Sequence, residues 1–197
     1  MVQWYVTKPL FSGPSSGSSS ASASNVPSPP EKFFPTGRLD TPFYCHDVTD
    51  RALRVPYADP AISTHPCGAR GILSVEVLVP EASIDSYVML YSAVTGAAAN
   101  VHGGYRYSPT TSVNFSLSVP NTEDSVMAEL ASKGRVGIEI RAPRDGEDES
   151  WLQERGVGIR EVRIFVPAQG ADEVDERQLD TEGTGASLVL VSEPTGC

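Results

Sequence analysis

The spacing of apolar residues changes at Pro80, from every second residue to a helical repeat. Before Pro80, every second residue is apolar, namely Leu73, Val75, Val77 and Val79, and the residues between them are mixed. This pattern is typical of a β-strand with one buried face. After it, apolar residues recur at helical spacing: Ile84, Tyr87, Val88, Tyr91 and Val94. Ser83 is a candidate N-cap and Gly96 a candidate left-handed stop. The sequence therefore predicts a strand followed directly by an amphipathic helix.

Further strands are predicted on both sides of this unit. Alternation predicts strands at residues 2–6, 41–48, 112–119, 135–142, 158–166 and 186–191. A helix is predicted over residues 122–133, and a short helix over residues 149–156 (ESWLQERG). Turn-forming residues predict a connection over 49–70, and the acidic residues 170–182 predict a solvated loop.

Composition divides the chain into four segments. Residues 12–36 contain a Ser/Gly/Pro-rich tract with little that can be buried, which predicts a disordered insertion. Residues 1–11 are interpreted as a strand of a preceding module, since natural domains seldom begin with an isolated strand. Residues 37–167 form the main folded region, with the strand–helix unit starting at about 71. Residues 168–197 are interpreted as the acidic loop and a closing strand.

Charge and cysteine content exclude several classes of protein. The net charge is −10 and no basic stripe is present, which argues against a nucleic-acid partner. No apolar run reaches the roughly 18 residues of a membrane span, and the N-terminus lacks signal-peptide features. The expectation is a cytoplasmic protein without a membrane partner. Three cysteines, Cys45, Cys67 and Cys197, fit free thiols. Cys45 is predicted to be buried, and a cysteine nucleophile would need a neighbouring base.

Four stretches together resemble one protein family. They are HPCGARGILSVEVLVPE, VQWYVTKP, TPFYCHDVTDRALRVP and VGIEIRAPRDGEDESWLQERGVGIREV. They are similar to glyoxalase-like proteins of the vicinal oxygen chelate (glyoxalase/bleomycin resistance/dioxygenase) superfamily. The resemblance implies an α+β fold with βαβββ modules, a mixed curved sheet forming an open cup, and one main helix packed on its outside. It also implies an N-terminally incomplete chain, because relatives carry further strands before VQWYVTKP.

The resemblance implies a metal site as one of two alternatives. Enzymes of the superfamily hold a divalent metal, here Fe, Mn, Ni or Zn, with His, Gln and Glu ligands on first and last strands. His46 and Glu139 match last-strand ligand positions, and Glu76, on the same strand face as Ser74, could compensate for a missing first-strand ligand. Ser74 stands where a first-strand histidine is expected, which weakens the metal hypothesis. The absence of any metal is the equally weighted alternative, and Glu139 could instead be salt-bridged.

Three functions follow as alternatives. One is a metal-dependent lyase or dioxygenase-type enzyme acting on a small carbonyl or oxygenated substrate, with no catalytic base identified. Another is non-catalytic binding of a small molecule, with Trp4, Tyr44 and Tyr105 as stacking surfaces. The third is an inactive fragment. A homodimer is a further expectation, because cup-shaped modules are often completed by a second module.

Other polar residues have simpler interpretations. His65 and His102 are interpreted as turn or loop residues, with a role at the cup rim as the alternative. Asp47, Arg51 and Arg54 are interpreted as fixing the connection after residue 48 through ion pairs and hydrogen bonds to the backbone.

Overall fold

The computed structural model describes residues 2–7, 42, 44–56, 59–102, 112–119, 125–168, 175–179, 181 and 185–192. The predicted insertion at 12–36 and the candidate residue Tyr105 lie outside these ranges. The chain forms two compact units, Met1–Val55 and Pro56–Cys197. Each unit is described by itself.

The first unit contains a two-stranded antiparallel ladder of β1 (Trp4–Thr7) and β2 (Tyr44–Asp47). A 3₁₀ turn, Arg51–Leu53, follows it and is capped by the side chain of Asp50. Arg54 donates from Nε and one terminal nitrogen to the carboxylate of Asp47, at 2.6 and 3.0 Å. These hydrogen bonds hold the pKa of Asp47 below its usual value. The predicted ion pair is therefore confirmed.

The prediction that Cys45 is buried is wrong. Cys45 is exposed, as are its neighbours Tyr44 and His46. A two-stranded ladder buries neither face unless a further layer covers it, and the described residues of this unit supply no such layer. The prediction rested on Cys45 lying on the strand face opposite to His46, and a position opposite a polar residue is buried only where that face is covered.

The second unit is built on a seven-stranded mixed sheet. Its strands are β3 (Gly71–Leu78), β4 (Ala99–His102), β5 (Ser112–Ser116), β6 (Gly137–Arg141), β7 (Gly158–Phe165), β8 (Asp175–Leu179) and β9 (Ser187–Ser192). Their order across the sheet is β4-β5-β6-β3-β7-β9-β8. The β3–β6 and β7–β9 pairs are parallel, and the other pairs are antiparallel.

Within the described residues, four helices accompany the sheet. They are α1 (Pro60–Ser63), α2 (Ile84–Thr95), α3 (Ser125–Ser132) and α4 (Gly146–Arg155). The chain order β3-α2-β4-β5-β6, with the first and last strands adjacent and parallel, confirms the predicted α+β class and βαβββ unit. Helix α3 lies between the last two strands of this unit.

Two helices cover the apolar face of the sheet. Ile84 and Tyr91 of α2 pack with Val77, Phe115 and Ile140 in one buried cluster. A second cluster joins residues of α3 to β3, β7 and β9: Leu73, Met127, Leu130, Phe165, Val189 and Val191. The predicted apolar face of β3 and the predicted stripe on α2 are therefore confirmed. Helix α2 is the longest helix of the described residues, and α3 covers a neighbouring part of the same face.

The ends of α2 show one prediction confirmed and one that is wrong. Gly96 has φ 67° and its N–H donates to the Ser92 carbonyl, which is the predicted left-handed stop. Ser83 makes no side-chain cap hydrogen bond. A 3₁₀ turn over Glu81–Ser83 places Ser83 in a helical conformation, where its hydroxyl does not face the free N–H groups.

The predicted loops contain three further elements. Helix α1 lies within the predicted connection over 49–70. Strand β4 follows α2, where no strand is predicted, so His102 lies at the end of a strand. Strand β8 lies within the acidic residues 170–182, where a solvated loop is predicted. Both unpredicted strands are at the edges of the sheet, where one ladder of hydrogen bonds holds even a polar segment.

Candidate functional site

The face of the sheet opposite α2 carries polar side chains on three adjacent strands. Strand pairing arranges nine positions of β5, β6 and β3 in three rows: Ser116, Gly137 and Ser74; Asn114, Glu139 and Glu76; Ser112, Arg141 and Leu78. We call these nine positions the polar face. Its middle row places two carboxylates and an amide on neighbouring strands, which makes it the centre of the candidate site.

Glu76 and Glu139 are direct partners in the parallel β3–β6 ladder. Neighbouring strands lie about 4.8 Å apart, so two carboxylates at this spacing repel each other unless a cation lies between them. Arg144 supplies that cation: one terminal nitrogen lies 3.4 Å from Glu76 and 3.5 Å from Glu139. A terminal nitrogen of Arg141 lies 2.7 Å from the other oxygen of Glu76. Both carboxylates are therefore neutralised by arginines.

Arg141 is a buried cation, and only 5% of its surface is exposed. Besides Glu76 it contacts Asp148, with nitrogen–oxygen distances of 2.5 and 3.2 Å. Burial acts to lower the pKa of Arg141, but the hydrogen bonds to Glu76 and Asp148 outweigh burial and raise it above its usual value. Arg141 therefore stays charged, and its charge compensates the buried carboxylates of Glu76 and Asp148.

Asp148 connects the polar face to α4. It accepts hydrogen bonds from the backbone N–H of Arg144 at 3.0 Å and from Nε of Arg160 at 3.3 Å. Burial acts to raise its pKa, but the hydrogen bonds from Arg141 and from the Arg144 backbone lower it to about 2. Asp148 is thus an anion that orients two arginines and fixes the loop that carries Arg144.

The start of α4 explains why Asp148 is in place. Asp145 is the N-cap, and its carboxylate accepts from the backbone N–H of Asp148 at 2.9 Å. Glu147, Asp148 and Glu149 all lie in the first turn, where the helix dipole favours negative charge. The local sequence RDGEDE therefore both begins the helix and directs Asp148 toward Arg141.

The donors on the polar face do not fit a divalent metal as they stand. Ser74 occupies the first-strand position and is a poor ligand, and both carboxylates already contact guanidinium groups. Nowhere in the described part of the chain do three His, Cys, Asp or Glu side chains form a group that could hold a metal ion. A metal at Glu76 would have to displace two arginines.

The other predicted site residues lie in the first unit or beyond the described ranges. His46 pairs with Tyr5 in the β1–β2 ladder, and Trp4 pairs with Asp47. Side chains alternate along a strand, so Tyr44 shares a face with His46, and Trp4 lies on the other face. The Tyr44 and His46 rings are 6.2 Å apart. Trp4 and Tyr44 therefore do not form one stacking surface within this ladder.

Four residues of the site were not among the sequence candidates: Asn114, Arg141, Arg144 and Asp148. Asn114 follows the same alternation as Glu139, so its position on a polar strand face was a usable signal. Arg144 and Asp148 lie in a loop and a helix start, where alternation gives no direction. Only the tertiary fold shows that they meet Glu76 and Arg141.

A cavity of about 700 Å³ lies beside α4, β8 and β9. Its lining includes Trp151, Arg155, Arg160, Gln178 and Ser187. Trp151 donates from its indole nitrogen to the Gly185 carbonyl at 2.6 Å, which fixes the ring in the wall. Arg160 also contacts Asp148, so this cavity adjoins the charged network of the polar face.

Comparisons with known proteins give structural likeness alone. No protein-family model and no curated protein matches the chain. The chain is similar to methylmalonyl-CoA epimerase from Mycobacterium tuberculosis, with a TM-score of 0.43 and 14% identity, over 66% of this chain and 91% of that one.

Two further structures are similar at the same level. A variant of Streptomyces coelicolor methylmalonyl-CoA epimerase bound to 2-nitronate-propionyl-CoA has a TM-score of 0.42 and 13% identity, over 62% of this chain and 96% of that one. A hypothetical protein from Bacillus halodurans C-125 has a TM-score of 0.42 and 13% identity, over 64% and 96%. The assignment of the βαβββ unit rests on the strand order and pairing of this chain. Among the described residues, no helix is long and apolar enough to cross a membrane.

Proposed function

We propose that this chain is a glyoxalase-like protein of the vicinal oxygen chelate superfamily whose polar face binds a small oxygenated molecule without a metal centre. The sequence resemblance and the βαβββ order support the family. The observation that carries the metal-free mode of binding is the pairing of Glu76 and Glu139 with Arg141 and Arg144.

Two exposed groups, Glu139 on the polar face and Arg144 beside it, define the ligand chemistry. Glu139 keeps 31% of its side chain exposed and can only accept hydrogen bonds when ionised. Arg144 keeps 45% exposed and can only donate. A hydrogen-bond acceptor beside a donor favours a ligand that carries a donor beside an acceptor, namely a hydroxyl next to a carboxylate. Such a 2-hydroxy acid would donate to Glu139 and accept from Arg144.

The contacts of Arg144 are loose enough for a ligand to replace. Its distances to Glu76 and Glu139 are 3.4 and 3.5 Å, longer than the 2.7 to 2.9 Å of a strong charge-assisted hydrogen bond. Arg141 would keep Glu76 neutralised after Arg144 turned toward a ligand carboxylate. The proposed binding therefore leaves no buried carboxylate unpaired.

The test is calorimetric titration of chelator-treated protein with three matched compounds: 2-hydroxybutyrate, butyrate and 1,2-butanediol. The hydroxy acid should bind about tenfold tighter than either of the others, because each lacks one hydrogen bond to a charged group. Equal binding of all three, or binding that appears only after Mn²⁺ or Zn²⁺ is added back, would contradict the proposal.

Two substitutions assign the contacts. Arg144→Gln should reduce the affinity for 2-hydroxybutyrate to that for the diol, and Glu139→Gln should remove the preference for the hydroxyl. Lys133→Gln is a matched control, since Lys133, just after α3, is exposed and pairs with Glu129 of that helix. If Arg155→Gln abolishes binding while Arg144→Gln does not, the ligand lies in the cavity beside α4 and the polar face is not the site.

A further inference from the structure

The turn at His65–Gly68 brings an imidazole and a thiol together, away from the polar face. The Nδ1 atom of His65 lies 2.9 Å from Sγ of Cys67, and both residues are exposed. The backbone N–H of Gly68 donates to the His65 carbonyl at 2.9 Å, and Gly68 has φ 77°. The turn itself therefore holds the two side chains at contact distance.

The backbone fixes which ring nitrogen faces the thiol and in what state. The N–H of Cys67 donates to Nδ1 of His65 at 3.3 Å, so Nδ1 carries a lone pair and the proton of the neutral ring is on Nε2. With the proton on Nε2, the thiol is the donor in the 2.9 Å contact between Sγ and Nδ1, and it shares the single Nδ1 lone pair with the Cys67 N–H. A thiol whose proton is directed at a basic nitrogen is the arrangement found in activated cysteine nucleophiles.

Exposure makes this pair accessible to a reagent. Neither side chain lies under another element, in contrast to the buried network of Arg141 and Asp148. Cys45 is also an exposed free thiol, and the structure gives it no contact with an imidazole: its neighbour His46 points to the other face of β2. The chain therefore contains a built-in comparison between a thiol that contacts an imidazole and one that does not.

We propose that Cys67 is a reactive thiol that adds to α,β-unsaturated carbonyl compounds, with His65 as its base. The thiol proton passes to Nδ1 of His65, and Sγ forms a bond to the β-carbon of the acceptor. The π-electron pair shifts to give an enolate, and the imidazolium returns the proton to the α-carbon. The S–H bond thus adds across C=C with no oxidant, reductant or leaving group. This reaction does not depend on the proposed ligand of the polar face.

The experiment measures alkylation of Cys67 and Cys45 in the full chain by a limiting amount of N-ethylmaleimide, an α,β-unsaturated dicarbonyl. Trypsin separates the thiols, because Cys67 lies in the fragment 55–70 and Cys45 in the fragment 39–51. Mass spectrometry of timed, quenched samples gives both rates from one reaction. Cys67 should react about tenfold faster than Cys45 at neutral pH. Equal rates would overturn the proposal.

A conservative variant distinguishes the effect of the base from the effect of the turn conformation on the reactivity of Cys67. His65→Asn keeps a side-chain oxygen that can accept from the Cys67 N–H, as asparagine does in such turns, but it provides no base. Cys67 should then react at the rate of Cys45. His46→Asn is the matched control and should leave both rates unchanged. An unchanged Cys67 rate in the His65→Asn protein would show that exposure alone explains the reactivity, and the wild-type comparison stands independently of both variants.

Discussion

Asp148 shows how a single buried residue organises the site. Its two oxygens accept from the side chains of Arg141 and Arg160 and from the backbone of Arg144. Removing one partner from a buried ion pair costs about 3 to 5 kcal/mol, because the remaining charge is left uncompensated. The position of Arg144, and with it the donor proposed to bind ligand, therefore depends on a residue that does not itself face the ligand.

The depressed pKa of Asp148 predicts a specific acid sensitivity. A carboxyl whose folded pKa of about 2 lies below its ordinary value of 3.8 contributes stability that is fully present above the ordinary value and is lost as pH falls toward 2. The shift corresponds to about 2 kcal/mol. The difference in unfolding free energy between wild type and Asp148→Asn should therefore be constant near neutral pH and shrink below about pH 4.

Urea unfolding of both proteins at a series of pH values measures this difference. Glu154→Gln is a matched control on the same helix, since Glu154 is exposed and should show no pH-dependent difference from wild type. A wild-type advantage over Asp148→Asn that is as large at pH 2.5 as at pH 7 would contradict the assignment of Asp148 as the stabilising anion.

Alternation placed Glu76 and Glu139 on polar strand faces, and the family resemblance made them candidate metal ligands. The structure brings both onto the polar face beside arginines. Their pairing with each other depends on the parallel β3–β6 register, and their pairing with arginines depends on a loop and a helix start. Neither the register nor the loop conformation is determined by local spacing.

At the scale of secondary structure, the predictions succeeded where apolar periodicity is strong. Strand β3 and helix α2 carry apolar stripes that the structure buries, and both were predicted with correct faces. Strand β4 reads ANVH and β8 reads DERQL, so neither has a stripe. These edge strands form because a neighbouring strand supplies backbone hydrogen-bond partners, and that contribution is absent from their own sequences.

The close approach of β5 and β6 predicts that Gly137 cannot be replaced. A Cβ atom at Gly137 would lie 2.3 Å from the backbone oxygen of Phe115, which cannot move without breaking the ladder. Gly137→Ala should lower the unfolding free energy by about 1 to 3 kcal/mol. Gly146→Ala, where the added Cβ meets no atom within 4 Å, should be neutral or stabilising by up to about 1 kcal/mol. Chemical denaturation of both variants distinguishes crowding from a general effect of replacing glycine.

The buried stripe of α2 predicts a second contrast on one helix. Tyr91 is buried against Phe115, and Met89 is 70% exposed. Tyr91→Ala should cost about 3 kcal/mol or more, whereas Met89→Ala should stay within about 0.5 kcal/mol. Thermal unfolding measures both. Equal losses would mean that α2 is rotated from the orientation described.

At the scale of the whole molecule, the charges of the polar face predict how the protein responds to metals. Because the carboxylates of Glu76 and Glu139 are paired with arginines, treatment with a chelator should leave the melting temperature unchanged. Re-addition of Mn²⁺, Fe²⁺, Ni²⁺ or Zn²⁺ should not raise it, since only a ligand of the native state stabilises by mass action. Differential scanning fluorimetry provides the measurement. A saturable rise that is lost in Glu139→Gln would contradict the metal-free mode of binding and restore the metal hypothesis.

The central position of β3 has a consequence for how the chain is made. Both of its neighbours, β6 and β7, come later in the sequence, after α2 and two other strands. During synthesis from the N-terminus, the segment GILSVEVLV leaves the ribosome with neither edge paired. Such non-local pairing folds slowly and leaves an apolar strand open to self-association. The yield of folded protein in cells should therefore depend more on chaperone capacity and translation rate than on the stability of the folded state.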